Sequence, residues 1–350
     1  MYMKNLVNGS NFARYSDFVF SEIVSKEEFD SLKEKNNNLI IVREYNYLKL
    51  NAIWYINPII ELEDNDVIFS HTEVVDILFK LLKKFSEFKN LKLITHQSDR
   101  TVDQKLFNKK PKNISSWYSP NINFKADELF SIPIGVNNFY NENFFNKKIQ
   151  NNFFLNKRNE EKNEVVYVNF TLDTNPKHRK KALEFAKLLP EQNKFIDLNK
   201  DSIKYFENIS KSKFTLAPWG NGIDTHRFWE AIYLGSIPIT LKHTHYEKFS
   251  KLPAIFLNNY SELTIDNLEK QSQNFKPSEI QILDINYWFK MIKSENIEKT
   301  NFKIINFVNS LNLKIRYFKL KIKIKSQKKI IIYYIKKYLN LKNYYRIFVN

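Results

Sequence analysis

Two residues with complementary chemistry, Arg227 and Glu230, are three positions apart in the stretch KFTLAPWGNGIDTHRFWEAIYLGSIPIT, residues 213–240. This spacing puts both side chains on one face of a helix. An arginine can bind a phosphate through two parallel hydrogen bonds, and a carboxylate, which only accepts, suits a pair of sugar hydroxyls. The pattern therefore predicts a nucleoside diphosphate site, although an ordinary surface ion pair has the same spacing.

A glycine loop precedes these two residues. Three of the five glycines in the chain, Gly220, Gly222 and Gly235, lie in residues 213–240. We expect Gly220 and Gly222 to take positive φ around Asn221, so that a ligand can approach the backbone. We expect Gly235 to end a helix.

That helix is predicted over residues 225–234, with Asp224 or Thr225 as its N-cap. The loop and the helix start, Gly220, Asn221, Gly222, Asp224 and Thr225, are candidate donor-binding residues. A glycine turn that feeds a helix N-terminus favours an anion, because free N–H groups and the helix dipole both attract negative charge. His226 and Trp219 are expected to border the sugar or the base, although Trp219 could equally be a core residue.

Residues 225–238, THRFWEAIYLGSIP, resemble the C-terminal motif of exostosin-like glycosyltransferases, a serine- or threonine-led R-x-x-E-A-[IL]-x-x-G-x-[IV]-P. The related motif of α1,3-fucosyltransferases has Thr-Glu-Lys in place of Thr225-His226-Arg227 and lacks the Glu-Ala pair. The resemblance implies an α/β fold of GT-B type, with two Rossmann-like domains facing across a cleft. It also implies that Arg227 binds the donor diphosphate and Glu230 the ribose. The cysteines and long stem of animal exostosins are absent, so their substrates and partners are not carried over.

A second candidate donor contact follows another predicted strand. Residues 171–179 (TLDTNPKHR) leave that strand and enter a helix. Arg179 is expected to contact the phosphates from across the donor cleft, which Asn169 or Thr171 could line. The alternative is a capped helix start with solvated basic residues.

An acceptor hydroxyl needs a general base, and three candidates follow predicted strands. Open α/β sheets place functional loops at the carboxyl ends of their strands. His96 and Asp99 follow the strand at 91–95, and Glu73 follows the strand at 67–70. A histidine or carboxylate with a pKa near 6–7 would serve. Each is a candidate catalytic residue, and each could instead cap a helix.

The acidic turn Glu63-Asp64-Asn65-Asp66 contains Asp-x-Asp, the metal-binding signature of the other glycosyltransferase fold. It lies in a different predicted domain from Arg227, and a helix start with an arginine can neutralise a leaving diphosphate. We therefore expect neither a metal ion nor another cofactor.

Alternating strands and helices are expected to position these residues in parallel α/β sheets. Strands are predicted at 38–43, 67–70, 91–95, 130–134, 165–170, 214–217 and 237–240, and helices at 74–85, 177–189 and 200–212. The Asn- and charge-rich residues 140–164 predict a connection between domains. The expected organisation is an acceptor-side domain at 1–150, a nucleotide-sugar-binding domain at 151–300 and a basic amphipathic helical tail at 301–350.

The charge of the chain is concentrated in that tail. The net charge is +17, but residues 301–350 hold 13 of the 55 Lys and Arg and none of the 38 Asp and Glu, which leaves +4 for residues 1–300. We expect this tail to lie on an anionic membrane surface. The alternatives are a helix packed back on the domains or a nucleic-acid-binding segment. Because the body is nearly balanced, no nucleic-acid partner is expected.

Composition limits the compartment. There is no cysteine, which excludes disulfides and Cys-ligated zinc and indicates a reducing environment. We find no signal peptide and no apolar run of the ~18 residues that a membrane span needs. The expected location is cytoplasmic, peripheral at the inner face of the membrane.

These observations predict an inverting glycosyltransferase that moves a sugar from a nucleotide-diphosphate donor to a glycan or lipid-linked acceptor, in surface polysaccharide synthesis. A UDP-sugar is the expected donor. The alternatives are a GDP-fucose-type fucosyltransferase and, from a different class, a basic nucleic-acid-binding protein.

Overall fold

The structure is a computed structural model, which describes residues 5–47, 50–141, 161–162, 164–198, 201–273, 275, 280–293 and 302–308, and residues 311, 315–316, 318–320, 324 and 327. The predicted connection at 140–164 falls largely outside these residues. In the described part of the chain, no helix is both long enough and apolar enough to cross a membrane.

The first half of the chain forms a seven-stranded mixed sheet. Its strands are β1 (Phe18–Ser25), β2 (Ile40–Tyr47), β3 (Leu50–Ile56), β5 (Val67–His71), β6 (Leu91–His96), β7 (Ile114–Ser119) and β8 (Leu129–Ser131), and β4 (Ile59–Leu62) lies outside it. The order is β2-β3-β1-β5-β6-β7-β8. β1 and β5–β8 are parallel, whereas β2 and β3 form an antiparallel edge. This edge differs from the all-parallel sheet that the sequence predicts.

Four helices pack with this sheet: α1 (Gly9–Tyr15), α2 (Lys26–Lys35), α3 (Val75–Leu82) and α4 (Gln104–Phe107). Their starts follow from local chemistry, because Asn8, Ser25 and Asp103 each accept a hydrogen bond from a first-turn backbone N–H. The structure confirms the predicted helix at 74–85 as α3, which buries Leu78, Phe79 and Leu82.

The second half forms a five-stranded, fully parallel sheet. Its strands are β9 (Glu164–Val168), β10 (Lys194–Ile196), β11 (Ser212–Leu216), β12 (Ile237–Leu241) and β13 (Ile255–Leu257), and its helices are α5 (Pro176–Lys187), α6 (Ser202–Lys211), α7 (His226–Tyr233), α8 (Ile265–Ser272) and α9 (Ile285–Ile292). The order is β10-β9-β11-β12-β13. The strand order reverses between β9 and β11, and in such sheets ligands bind beyond the carboxyl ends of the strands at this point.

The end of α7 explains one of the glycines. Gly235 has φ +73°, a conformation that residues with a Cβ rarely adopt. Its N–H donates to the Ile232 carbonyl at 3.1 Å, and the Ser236 N–H donates to the Ala231 carbonyl at 2.9 Å. These two bonds form a Schellman motif. The prediction that Gly235 ends the helix is confirmed.

The two sheets share one hydrophobic core. Buried residues from both halves, including Phe12, Ile94, Trp229 and Trp288, belong to a single cluster. The Val7 N–H donates to the Tyr233 hydroxyl at 3.0 Å. The chain is thus a mixed α/β protein with parallel-rich sheets, compatible with a Rossmann-like fold.

Part of the predicted tail belongs to this folded body. Strand β14 (Lys303–Asn306) pairs antiparallel with β4, and Phe307, Leu311 and Ile315 are buried in the core of the first sheet. The expectation of a separate tail from residue 301 is therefore wrong for this segment, because its apolar residues pack inward. Residues 328–350 lie outside the described part of the chain.

Candidate functional site

The candidate site lies at the carboxyl ends of β9 and β11. The Arg179 Nε donates to the Trp219 carbonyl at 3.1 Å, and its Nη1 donates to the Thr171 carbonyl at 2.8 Å. Thr171 follows β9 and Trp219 follows β11, so one guanidinium ties together the two loops at the point where the strand order reverses. The structure thus places Arg179 where ligands bind in sheets of this kind.

A second arginine lies beside the first. The guanidinium carbons of Arg179 and Arg227 lie 5.8 and 6.0 Å from the centroid of the Phe170 ring. Burial, and then the charge of Arg227, lower the pKa of Arg179 to about 10. Neither arginine forms an ion pair with a carboxylate among the described residues. Two crowded cations without a counter-ion favour a dianionic ligand.

The Arg227–Glu230 pair is not a surface ion pair. Glu230 is only 1% exposed. Its Oε2 accepts from the Tyr205 hydroxyl at 2.8 Å, and its Oε1 has no hydrogen-bond partner among the residues that the structure describes. Burial raises the pKa of Glu230. The rise is opposed by the charges of His226 and Arg227 and by hydrogen bonding from the Tyr205 hydroxyl and the Asn137 N–H. An oxygen without a protein partner among the described residues can accept a hydrogen bond from a ligand.

The glycine loop works differently from the prediction. Positive φ occurs at Gly135 and Gly235, not at Gly220 or Gly222. Instead, a Cβ at Gly220 would lie 3.0 Å from Arg179 Nη2, and a Cβ at Gly222 would lie 2.7 Å from Asn121 Oδ1. These glycines make room for two neighbouring side chains rather than for an unusual backbone conformation. Asn221, between them, is exposed.

Asp224 is a buried hub. Its Oδ2 accepts from the Ile134 N–H and its Oδ1 from the Thr225 N–H, at 2.8 and 2.9 Å. Trp229 Nε1 donates to both oxygens, and the Tyr246 hydroxyl lies 3.3 Å from Oδ1. Both oxygens of Asp224 therefore already accept hydrogen bonds, and the bond to Ile134 connects the two halves of the protein. This differs from the predicted role of Asp224 in binding the donor.

Thr225 and His226 begin α7. Thr225 is the N-cap residue, but its side chain makes no capping hydrogen bond, and its buried Oγ1 has no partner in the described part of the chain. His226 Nδ1 lies 2.8 Å from the Gly135 carbonyl oxygen, a contact with the first half of the chain. Both residues therefore lie at the helix start, facing the region between the two sheets.

Buried polar atoms without a hydrogen-bond partner are concentrated here. Four come from residues 219–230: Trp219 Nε1, Thr225 Oγ1, Arg227 Nε and Glu230 Oε1. A fifth, Asn121 Nδ2, belongs to the side chain that packs on Gly222. Native proteins satisfy most buried polar groups with protein or ordered-water partners, so such a concentration marks a place where water or a ligand supplies the missing partners.

His96 comes close to this site but is fully engaged. It is 0% exposed. Its Nδ1 accepts from the Gln97 N–H at 2.7 Å, which assigns the proton to Nε2, 3.2 Å from the Pro133 carbonyl. Burial lowers the pKa of His96 to about 4, and the charge of His226 contributes in the same direction. Both ring nitrogens would have to exchange partners before His96 could act as a base.

Asp99 is better placed than His96 or Glu73 for proton transfer. It is exposed, and its charge reaches Arg179, where it opposes the lowering of the pKa by burial and Arg227. Glu73 is half-buried, and its Oε1 accepts from the Ser98 hydroxyl at 3.2 Å. The three predicted bases thus follow neighbouring strands, and Asp99 is the exposed one, with its charge within reach of Arg179.

Glu22 is a buried acid that sequence reasoning missed. It is 5% exposed, and the Tyr55 hydroxyl donates to its Oε1 at 3.1 Å. Its Oε2 has no partner within the described residues. Burial raises the pKa of Glu22 to about 7, against the charge of Arg14 and the Tyr55 bond. Gln97 exchanges two hydrogen bonds with the backbone of Ile23, at 2.7 and 3.1 Å. The burial of Glu22 follows from its cross-strand pairing with Tyr55, which no motif in the sequence indicates.

The Asp-x-Asp turn has a structural role. Asp66 Oδ2 accepts from the Glu63 N–H and Asp64 Oδ1 from the Lys89 N–H, at 2.7 and 2.8 Å. Asn65 takes φ +68° between them. The turn precedes β5 and so lies at the opposite edge of the sheet from His96. No cluster of metal-ligating side chains occurs within the described residues.

No protein-family model matches this chain, and no curated protein matches its sequence.

Proposed function

We propose that this protein is a glycosyltransferase of GT-B type, with a nucleotide-diphosphate sugar as donor and a glycan or lipid-linked glycoconjugate as acceptor. The observation that carries the proposal is the pairing of Arg179 and Arg227 around Phe170, without a carboxylate counter-ion in the described residues. The resemblance of residues 225–238 to the exostosin motif supports the same assignment.

The donor would bind across the start of α7. Arg227 and the helix N-terminus at Thr225 would hold the diphosphate, and Arg179 would contact it from the loops after β9 and β11. Oε1 of Glu230 would accept from a ribose hydroxyl. Because that oxygen is buried, the ribose would have to enter the space beside Tyr205, or the carboxylate would have to rotate outward.

The chemical step would be a displacement with inversion. The acceptor oxygen attacks the anomeric carbon, the bond between that carbon and the diphosphate oxygen breaks, and Asp99 takes the acceptor proton. The two arginines stabilise the charge that develops on the leaving diphosphate. No metal ion is needed for this step.

A nucleotide panel tests the assignment. UDP, GDP, CMP and the sugar nucleotides UDP-glucose, GDP-fucose and CMP-sialic acid are each tested for a rise in the melting temperature, since a ligand that binds only the native state stabilises it. We expect one diphosphate class to stabilise the protein and its sugar form to be slowly hydrolysed. A response to GDP-fucose alone would select the fucosyltransferase alternative. If no nucleotide shifts the melting temperature, the proposal fails.

Arg227→Gln provides the matched variant. It keeps a long polar side chain but removes the charge, so we expect a loss of about tenfold or more in affinity for the stabilising diphosphate. Arg43→Gln is the control, because Arg43 is exposed and lies over Tyr45 in the first sheet. Equal affinities in both variants would exclude Arg227 as the phosphate ligand.

A further inference from the structure

A cavity lies at the edge of the first sheet opposite to His96. It is lined by the end of α3 and by the loops that precede β6 and β7, so it lies at the amino ends of these two strands. Its volume is about 590 Å³, within the range of small-molecule sites. None of the residues around Arg179 and Arg227 lines it.

The lining of this cavity is strongly basic. Four of the ten described residues that line it are lysines, and none of the ten is acidic. In the whole chain only 55 of 350 residues are Lys or Arg, so basic side chains are concentrated here. The four are Lys83, Lys89, Lys110 and Lys112.

Three of these lysines have no counter-ion in the protein. Lys110 pairs with Glu128 at 2.8 Å. Lys83, Lys89 and Lys112 are exposed, and none of them forms an ion pair with another described residue. A lysine ammonium binds phosphate as a compact point charge. Three such charges around one cavity favour an anionic ligand.

The acidic side chains nearest to these lysines in the sequence and structure have other partners. Glu87, between the lysines of the loop after α3, pairs with Lys303. Asp64 is buried, and its Oδ1 accepts from the backbone N–H of Lys89 at 2.8 Å. Neither carboxylate belongs to the cavity wall.

Asn113 adds a hydrogen-bond acceptor to the same wall. It is 8% exposed. Its Nδ2 donates to the carbonyls of Leu82 and Phe85 at 3.1 and 2.9 Å, which fixes the orientation of the amide. Its Oδ1 has no partner within the part of the chain that the structure describes. This oxygen would accept from a ligand hydroxyl, directly or through a water.

We propose that this cavity binds the phosphate monoester of a sugar or of another small polyol. The lysines hold the phosphate, which is mostly dianionic near neutral pH. Hydroxyl groups of the ligand are recognised by Asn113 and by Ser86, which is exposed at the wall. A soluble sugar phosphate and the phosphorylated headgroup of a lipid share this chemistry. The site is separate from the proposed nucleotide site and does not depend on the glycosyltransferase assignment.

Titration calorimetry of the full-length protein in a low-salt, phosphate-free buffer provides the test. The probes are inorganic phosphate, glycerol 3-phosphate and glucose 6-phosphate. Co-sedimentation with phosphatidylcholine vesicles, with and without phosphatidylinositol 4-phosphate, covers the lipid source. We expect at least one phosphorylated polyol, soluble or in vesicles, to bind more tightly than inorganic phosphate. Lys89→Gln/Lys112→Gln should lower that affinity about tenfold or more, because it removes two charges from the wall.

Two further variants separate this cavity from other sources of binding. Lys33→Gln/Lys35→Gln removes two exposed lysines from the last turn of α2 and should bind the probe as the unaltered protein does. Arg227→Gln should also retain binding, since Arg227 does not line the cavity. Circular dichroism checks that each variant is folded.

The outcomes are distinct. Binding of a soluble ester supports a sugar phosphate as ligand, whereas binding only to the phosphoinositide vesicles supports a lipid headgroup. Binding that is lost in Arg227→Gln but unchanged in Lys89→Gln/Lys112→Gln would place the phosphate at the arginines and overturn the cavity as the site. The proposal also fails if no probe binds, if inorganic phosphate binds more tightly than every polyol ester, or if a single-stranded DNA oligonucleotide binds these lysines more tightly than all of them.

Discussion

The Tyr205 hydroxyl donates a hydrogen bond to Oε2 of Glu230 at 2.8 Å, and both side chains are buried. The Arg227 guanidinium lies 5.5 Å from the centroid of the same tyrosine ring. One side chain from α6 therefore contacts both residues of α7 to which we assign donor binding. It orients the carboxylate with its hydroxyl and supports the guanidinium with its ring.

Tyr205→Phe should separate these two contacts. The ring and its contact with Arg227 remain, but Glu230 loses a donor, so we expect affinity for the stabilising nucleotide to fall about five- to tenfold, the worth of one hydrogen bond. Isothermal titration calorimetry measures the change. Tyr287→Phe is the control, because Tyr287 is partly buried and packs through its ring against Trp288. A Tyr205→Phe protein with unaltered affinity would show that Glu230 needs no support to bind ligand.

The sequence predicted the second half of the fold well. Its central parallel strands are buried and appear as short apolar runs, and Pro190 and Gly235 mark the ends of two helices. The grouping of Arg179, Arg227 and Glu230 could be predicted because spacing along a helix and around a strand end is local information, whereas their donor-binding role stays a prediction.

Other features depend on tertiary contacts and could not be predicted. Asp224 is a carboxylate at a helix start, as expected of a ligand residue. Its structural role depends on the hydrogen bond from the Ile134 N–H, which is 90 positions away in the sequence. The need for glycine at position 222 comes from Asn121, again distant in sequence. In the C-terminal segment, the many basic residues led to the prediction of a surface-bound tail, whereas Phe307, Leu311 and Ile315 are buried in the core of the first sheet.

Substitutions at the two loop glycines should have different effects. Gly222→Ala places a Cβ 2.7–2.9 Å from three atoms of the Asn121 side chain, whose Oδ1 accepts from the Asp224 N–H at 2.8 Å. We expect a loss of stability of about 1–3 kcal/mol, because Asn121 must leave that bond. Urea denaturation measures it.

Gly220→Ala is the comparison. Its Cβ would be 3.0 Å from the end of the flexible Arg179 side chain. We expect a smaller change in stability and a larger loss of nucleotide affinity than for Gly222→Ala. The reverse order would contradict the assignment of Asn121 to structure and Arg179 to the ligand.

Glu22 should make the protein less stable as the pH rises. Burial raises the pKa of Glu22 from 4.5 to about 7, so the folded state binds a proton that the unfolded state has already lost between these values. The free energy of unfolding therefore falls across this window, by up to about 3 kcal/mol. Glu22→Gln removes the titration and should gain stability relative to the unaltered protein at pH 8, with little difference at pH 4.

Urea denaturation of both proteins across this pH range gives the test. Glu27→Gln is the control, since Glu27 is an acidic residue in the first turn of the neighbouring α2 and its side chain is more exposed. A constant difference between Glu22→Gln and the unaltered protein at all pH values would show that Glu22 does not titrate in this window.

Asp224→Asn should lower stability rather than ligand affinity. Both carboxylate oxygens accept from backbone or indole N–H groups at 2.8–2.9 Å. Either orientation of an asparagine amide would bring its NH₂ group against one of these donors, so a hydrogen bond is lost and a repulsive contact replaces it. We expect a loss of about 2–4 kcal/mol, seen as a lower urea midpoint.

Asp201→Asn is the control, because Asp201 caps α6 and asparagine is an equally good N-cap. Nucleotide affinity measured well below the melting temperature should be retained in Asp224→Asn, and a variant that is fully stable but no longer binds nucleotide would restore Asp224 to the ligand site.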